Sequence, residues 1–197
     1  MRTTPFAPRD TALLLIDHQV GTMQLIKNLP VEVVERNTLA LAKAARVLGL
    51  PVVLTSSQEE RTQGPLMPKL REVLPEAFAA RVQRKGIVNA WTDDGFRRAV
   101  LATGRRNLVM AGVTTDVCLV FPSLSAVAEG FSVQAVLDAS GSPFELSEET
   151  SRRRMQQGGV VLTATNTAIA ELAQDWSTEH GQQLIRLLFE DVLPPIR

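Results

Sequence analysis

This chain of 197 residues has one cysteine, two histidines and no excess charge of either sign, and each shortage removes a class of function. A single cysteine cannot close an internal disulfide, so nothing demands an oxidising compartment, and a lone reactive thiol is better preserved in reduced cytosol. His18 and His180 are too few and too far apart for a His-rich metal site, so no metal and no cofactor are expected. Lysine plus arginine and aspartate plus glutamate stand at 21 each, which leaves no basic field to hold nucleic acid or an anionic membrane. The expected partners are a small-molecule substrate and further copies of the chain. Apolar runs such as Ala12 to Ile16 are too short to cross a bilayer, and MRTTPFAPRDT contains no apolar signal core. The expected location is therefore cytoplasmic. A glycine-rich phosphate loop is also missing: IDHQVGTMQ has one glycine where G-x-G-x-x-G would follow a first strand, which sets a dinucleotide-binding domain aside.

What remains is an ordinary globular composition, with 45% hydrophobic and 21% charged residues, consistent with one domain over 1–197 and no linker. Short β-rich runs at Ala12–Asp17, Pro51–Ser56, Asn107–Gly112, Ser132–Asp138 and Val160–Thr163, with a weaker one at Arg81–Lys85, alternate with helical patterns. Pro30 and Gly49 bracket one helix, Asp93 or Asp94 and Gly104 a second, and Gly130 ends a third that begins near Cys118. Ser147 before Glu148 and Glu149 opens another. Asp175 to Arg197 reads as a last amphipathic helix with an exposed tail. This alternation predicts a Rossmann-like doubly wound α/β fold, a mainly parallel six-stranded sheet with helices on both faces. LLLI and NLVMAG are continuously apolar, as central parallel strands are. Ser57–Pro68 reads as a surface loop or lid.

Three residues carry chemistry. Asp17 follows an apolar strand and so emerges at the carboxyl edge of the sheet, where open α/β folds place ligands; elsewhere such an aspartate is a turn residue. Lys85 closes the weak third strand, although a lysine taken alone is usually a solvated charge. Cys118 comes six residues after a buried strand ends and just before a helical stretch, where free N–H groups favour thiolate. Buried free cysteines are more often inert packing. Acid, cation and thiol at one edge would form a complete nucleophilic set.

IDHQ (Ile16–Gln19), KGIVNAW (Lys85–Trp91) and GVTTDVC (Gly112–Cys118) resemble the three signature segments of the isochorismatase-like cysteine hydrolases, in order and at similar spacing. GPLMP and FPSLSAVAEGF are most similar to the YcaC-like branch. The resemblance implies Cys118 as nucleophile, Asp17 as general base and Lys85 as the cation that holds both. It further implies a cis peptide at Val113-Thr114 that aims the N–H groups of Thr114 and Cys118 at one oxyanion. The reaction implied is hydrolysis of a C–N bond in a small amide through a thioester. True isochorismate hydrolases lack a cysteine at this position, so Cys118 argues against vinyl-ether hydrolysis, and the Asp-x-His-x-His metal set of nicotinamidases is replaced by SSQEERTQG. Gln19, Asn89, Trp91 and Phe121 flank the triad in the matching segments and are the candidate pocket residues. His18 is expected to point away from Asp17. The branch also implies a homo-oligomer, with an octamer of two stacked rings as one form. An assembly protein with a vestigial triad is the alternative.

Overall fold

The computed structural model describes residues 5–195. Its sheet has six strands: β1 Thr11–Ile16, β2 Val52–Ser57, β3 Val82–Arg84, β4 Asn107–Gly112, β5 Ser132–Val136 and β6 Val161–Thr163. They lie in the order β3-β2-β1-β4-β5-β6, and every pairing is parallel. All six residues of β1 are buried. Leu13 and Leu15 enter the core on one face, while Ala12, Leu14 and Ile16 enter the core on the other. This two-sided burial is why the strand is continuously apolar.

The helices are α1 Val31–Leu48, α2 Pro68–Val73, α3 Pro75–Ala79, α4 Asp94–Ala102, α5 Val120–Ala128, α6 Glu145–Gln157, α7 Thr165–Ala173 and α8 Glu179–Asp191. α1, α7 and α8 pack together on one face, and α4, α5 and α6 cover the other. α1 follows Pro30 and stops at Gly49, whose φ of +62° lets its N–H turn back onto Arg46. The final helix starts only at Glu179, where the Thr178 hydroxyl accepts from the Gly181 N–H at 3.0 Å. Residues 196 and 197 of the expected tail lie outside the described residues. Among the described residues no helix is long and apolar enough to cross a membrane.

Two elements differ from expectation. α6 begins at Glu145, two residues before the Ser147 start, because the Phe144 carbonyl accepts both the Glu148 N–H and the Ser147 hydroxyl. The stretch from the cysteine is not one helix: Thr115–Leu119 forms a single wide π-turn, and α5 follows it. Pro122 then falls in the first turn of α5, where its missing N–H is harmless. The strand order reverses between β1 and β4, so a crevice opens beyond their carboxyl ends.

Candidate active site

β1 delivers Asp17 to that crevice. Its φ of +58° turns the chain sharply at the strand end, in a left-handed conformation that aspartate tolerates better than most residues. The turn is held by the Asp17 N–H on the Thr55 carbonyl, 2.9 Å, and by the Gln19 N–H on the Asp17 carbonyl, 2.7 Å. β4 ends beside it, with Gly112 in register with Ile16. A Cβ on Gly112 would lie 3.2 Å from backbone atoms of Cys118 and Leu119, so glycine permits the π-turn to fold back over the strand end. The peptide Val113-Thr114 is cis. Cys118, partly buried, stands on this turn and lines the same cavity as the Asp17 carboxylate.

The cation beside Asp17 is Arg84, one residue before the expected Lys85. One Arg84 guanidinium nitrogen donates to both Asp17 carboxylate oxygens, and the two side chains are only 1% and 4% exposed. The Arg84 Nε donates to the Thr55 hydroxyl at 3.1 Å, and its other terminal nitrogen donates to the Ile87 carbonyl. Lys85 is exposed and is not among the residues that line the cavity at Cys118. The reason is strand alternation: Val82 and Arg84 share the face packed against the core, so Lys85 falls with Gln83 on the solvent side.

The cavity at Cys118 measures about 310 Å³. Asp17, Arg84, Cys118 and Thr114 form its floor, and Leu25, Ile87, Val88 and Val117 supply an apolar rim with Gln58 and Gln63 opposite. Of the four candidate pocket residues only Gln19 lines it, and its amide is fully used. Gln19 Nε2 donates to the Ser57 carbonyl, 2.9 Å, and to the Gly64 carbonyl, while its Oε1 accepts from the Ser57 N–H at 2.8 Å. Asn89, Trp91 and Phe121 lie elsewhere. Asn89 caps the turn over Ala90–Thr92 and reaches the Ser125 hydroxyl at 2.9 Å. Trp91 is core, with its ring edge-on to Phe131 at 5.2 Å, and Phe121 packs beneath the Arg154 guanidinium at 5.3 Å. Sequence reasoning missed Arg84, Thr22, Leu25, Ile87 and Val88.

The loop after β2 is strapped down rather than free. The Met67 N–H donates to the His18 carbonyl, the Val20 N–H to the Pro65 carbonyl and the Gly21 N–H to the Gln63 carbonyl, all at 2.8–2.9 Å. Glu59 anchors its other end by accepting from Arg81 at 2.8 and 2.9 Å, from the Ser56 hydroxyl at 2.6 Å and from Gln83 at 2.7 Å. These donors hold the Glu59 carboxyl down at about 2.

Electrostatics define the resting state. Burial raises the Asp17 pKa, with Arg84 opposing that shift. Burial also pushes the Cys118 thiol well above its ordinary value, and the adjacent Asp17 charge and hydrogen bond push it further. The Thr114 N–H directed at the sulfur and the more distant Arg84 only partly offset this. Cys118 therefore rests as a thiol, beside the Asp17 carboxylate. Of the two oxyanion donors implied by the resemblance, the Thr114 N–H faces the sulfur, but the Cys118 N–H is engaged with the Thr114 carbonyl at 2.8 Å.

His18 turns away from the cavity, and its Nε2–H donates to the Ala139 carbonyl at 2.9 Å. Its ring is fully buried and its Nδ1 has no partner among the described residues. Burial lowers its pKa from 6.5 to about 4. Because the unfolded chain takes up this proton first, folding stability is expected to fall as pH drops from about 6.5 to about 4. The loss attributable to His18 is about 3 kcal/mol. Urea unfolding at pH 7, 5 and 4 measures it, and His18→Gln should flatten the slope in that window; equal slopes in the two proteins would refute the assignment. Among the described residues, no three His, Cys, Asp or Glu side chains gather as a metal-ligand set.

Comparison with known proteins places this geometry in a family. The isochorismatase domain model matches residues 11–167. The probable hydrolase YcaC of Escherichia coli is 38% identical over 188 residues, covering 95% of this chain and 88% of that protein. The 1.8 Å crystal structure of E. coli YcaC, described as an octameric hydrolase of unknown specificity, superposes with a TM-score of 0.92 at 37% identity, covering 98% of this chain and 93% of that one. YcaC from Pseudomonas aeruginosa, solved with hexane-2,5-diol and covalent acrylamide, gives 0.91 at 37% identity, covering 98% and 94%. The chain belongs to the isochorismatase family, as a hydrolase of its YcaC-like branch.

Proposed function

We propose that the protein hydrolyses the C–N bond of a small amide through a thioester on Cys118, with Asp17 as general base and Arg84 as the cation that fixes Asp17. The observation that carries this reading is the buried Arg84–Asp17 pair lining one cavity with the chain's single cysteine. Asp17 takes the thiol proton as the sulfur attacks the carbonyl carbon, so the thiolate never has to persist in a buried site. Negative charge then builds on the carbonyl oxygen, where the Thr114 N–H is available and the Cys118 N–H can be shared from the Thr114 carbonyl. Collapse breaks the C–N bond, and protonated Asp17 returns its proton to the departing nitrogen. Asp17 next deprotonates water, which cleaves the thioester, and the proton passes back to sulfur.

The apolar rim and the mutual neutralisation of Asp17 and Arg84 support an uncharged amide head. The covalent acrylamide of the P. aeruginosa relative supports a reactive nucleophile in this branch. The octameric E. coli relative supports a homo-oligomer here. Acid-quenched turnover mixtures from a panel of small amides and imides, followed by intact mass and peptide mapping, should show an acyl mass on the Cys118 peptide for every productive substrate. Turnover without that adduct in wild type, or a Cys118→Ser variant as active as wild type, would overturn the mechanism, whereas no turnover of any amide would leave the assembly reading.

A further inference from the structure

The cavity at Cys118 does not end at its mouth. It adjoins an outer cleft of about 520 Å³ between the segment Gly21–Leu25 and the loop that carries Arg61, Thr62 and Gln63. Thr22, Leu25, Gln58 and Gln63 line both spaces and form the throat between them. The throat is built rather than loose, because a Cβ on Gly21 would overlap the Thr62 carbonyl. The Gln63 amide also donates to the Gln58 amide oxygen at 3.2 Å.

The two spaces differ in charge. In the inner cavity the acid and the cation neutralise each other. Among the described residues Arg61 is the sole charged residue that lines the outer cleft, and it enters no ion pair there. Its backbone is fixed by two turns, the Arg61 N–H on the Gln58 carbonyl at 2.8 Å and the Gly64 N–H on the Arg61 carbonyl at 3.0 Å. The neighbouring acid Glu59 is committed to Arg81. A second feature points to a ligand: Thr22 is 7% exposed, and its buried hydroxyl has no partner among the described residues. A donor in that position leaves a hydrogen bond to be made.

We propose that the outer cleft is a subsite for an anionic tail, so that the substrate class is a small amide whose neutral head reacts at Cys118 while a carboxylate on its tail meets Arg61 and Thr22. This deepens the proposed function and rests on Cys118 as the reacting centre. Its test uses alkylation, which requires no hydrolysis, so the two ideas can fail separately. The probes are 3-acrylamidopropanoate and its methyl ester, which share one reactive head. In both, the sulfur bonds to the terminal alkene carbon, the thiol proton ends on the carbon next to the carbonyl, and nothing departs. Intact mass with time gives the second-order labelling rate of Cys118. The acid should label about tenfold faster than the ester, the usual scale for one charge-assisted hydrogen bond. Arg61→Ala should bring the ratio close to one, and Thr22→Val should reduce it. Lys85→Ala removes an exposed cation that does not line the cleft and should leave the ratio intact. Equal labelling of the two probes by wild type, no labelling of Cys118 by either, or a ratio that Arg61→Ala leaves unchanged would overturn the subsite.

Discussion

Replacing Asp17 with Asn is expected to lower amide turnover by about 10²- to 10⁴-fold, the usual contribution of a positioned general base, while making the Cys118 thiol easier to ionise. The two effects run in opposite directions, and that opposition makes the test specific. In the wild type the Asp17 charge and hydrogen bond push the thiol pKa up, on top of the rise due to burial. Asparagine removes the charge and leaves the Arg84 guanidinium facing the sulfur without its counter-ion. Both changes favour thiolate. The pH midpoint of iodoacetamide labelling should therefore move down as turnover collapses. If Asp17 served only to shape the site, turnover and labelling would fall together through misfolding, which a melting curve would expose. Turnover within tenfold of wild type, or a labelling midpoint that stays put or rises, would rule Asp17 out as the base.

The same electrostatics explain where sequence reasoning succeeds and where it stops. β1 and β4 are legible because burial on both faces leaves an unbroken apolar run, and a residue just past such a run must emerge at the crevice. This places Asp17, and the Gly112–Cys118 segment follows from the same logic. The cation is harder. β3 has three residues, Val82–Arg84, too few to display a period of two against its neighbours. The pairing of Ser57 with Arg84 fixes which of two adjacent basic side chains turns inward. The available signal was Val82, since an apolar residue on the core face carries Arg84, and not Lys85, with it.

Pocket walls are less legible still. Thr22 and Leu25 reach the cavity from a single 3-10 turn, Thr22–Leu25, and Gln58 from a loop, segments too short for periodicity to set direction, whereas Asn89, Trp91 and Phe121 adjoin the right segments but are turned into caps and core. The balance of fields at the sulfur is also tertiary. Proximity to a helix start argues for thiolate, but burial beside a carboxylate outweighs it. That makes the carboxylate, rather than a standing thiolate, the centre of the proposed mechanism.

The pair that positions this base should also be the costliest to break. Arg84→Met keeps much of the side-chain volume but strands the Asp17 carboxylate at 3% exposure with no cation. Removing one partner of a buried ion pair costs about 3–5 kcal/mol, which in a chain of this size lowers the melting temperature by roughly 6–20 °C. Lys85→Met, one position along and exposed, should stay within about 0.5 kcal/mol of wild type. Activity should follow the same division, with turnover lost at position 84 and retained at 85. Asp17→Asn combined with Arg84→Met closes a double-mutant cycle: if the cost at 84 is mainly the stranded carboxylate, the double variant should recover much of the stability without recovering turnover. Thermal melts and amide hydrolysis on the four proteins decide it. A Lys85→Met variant that loses activity while Arg84→Met retains it would return the catalytic cation to position 85.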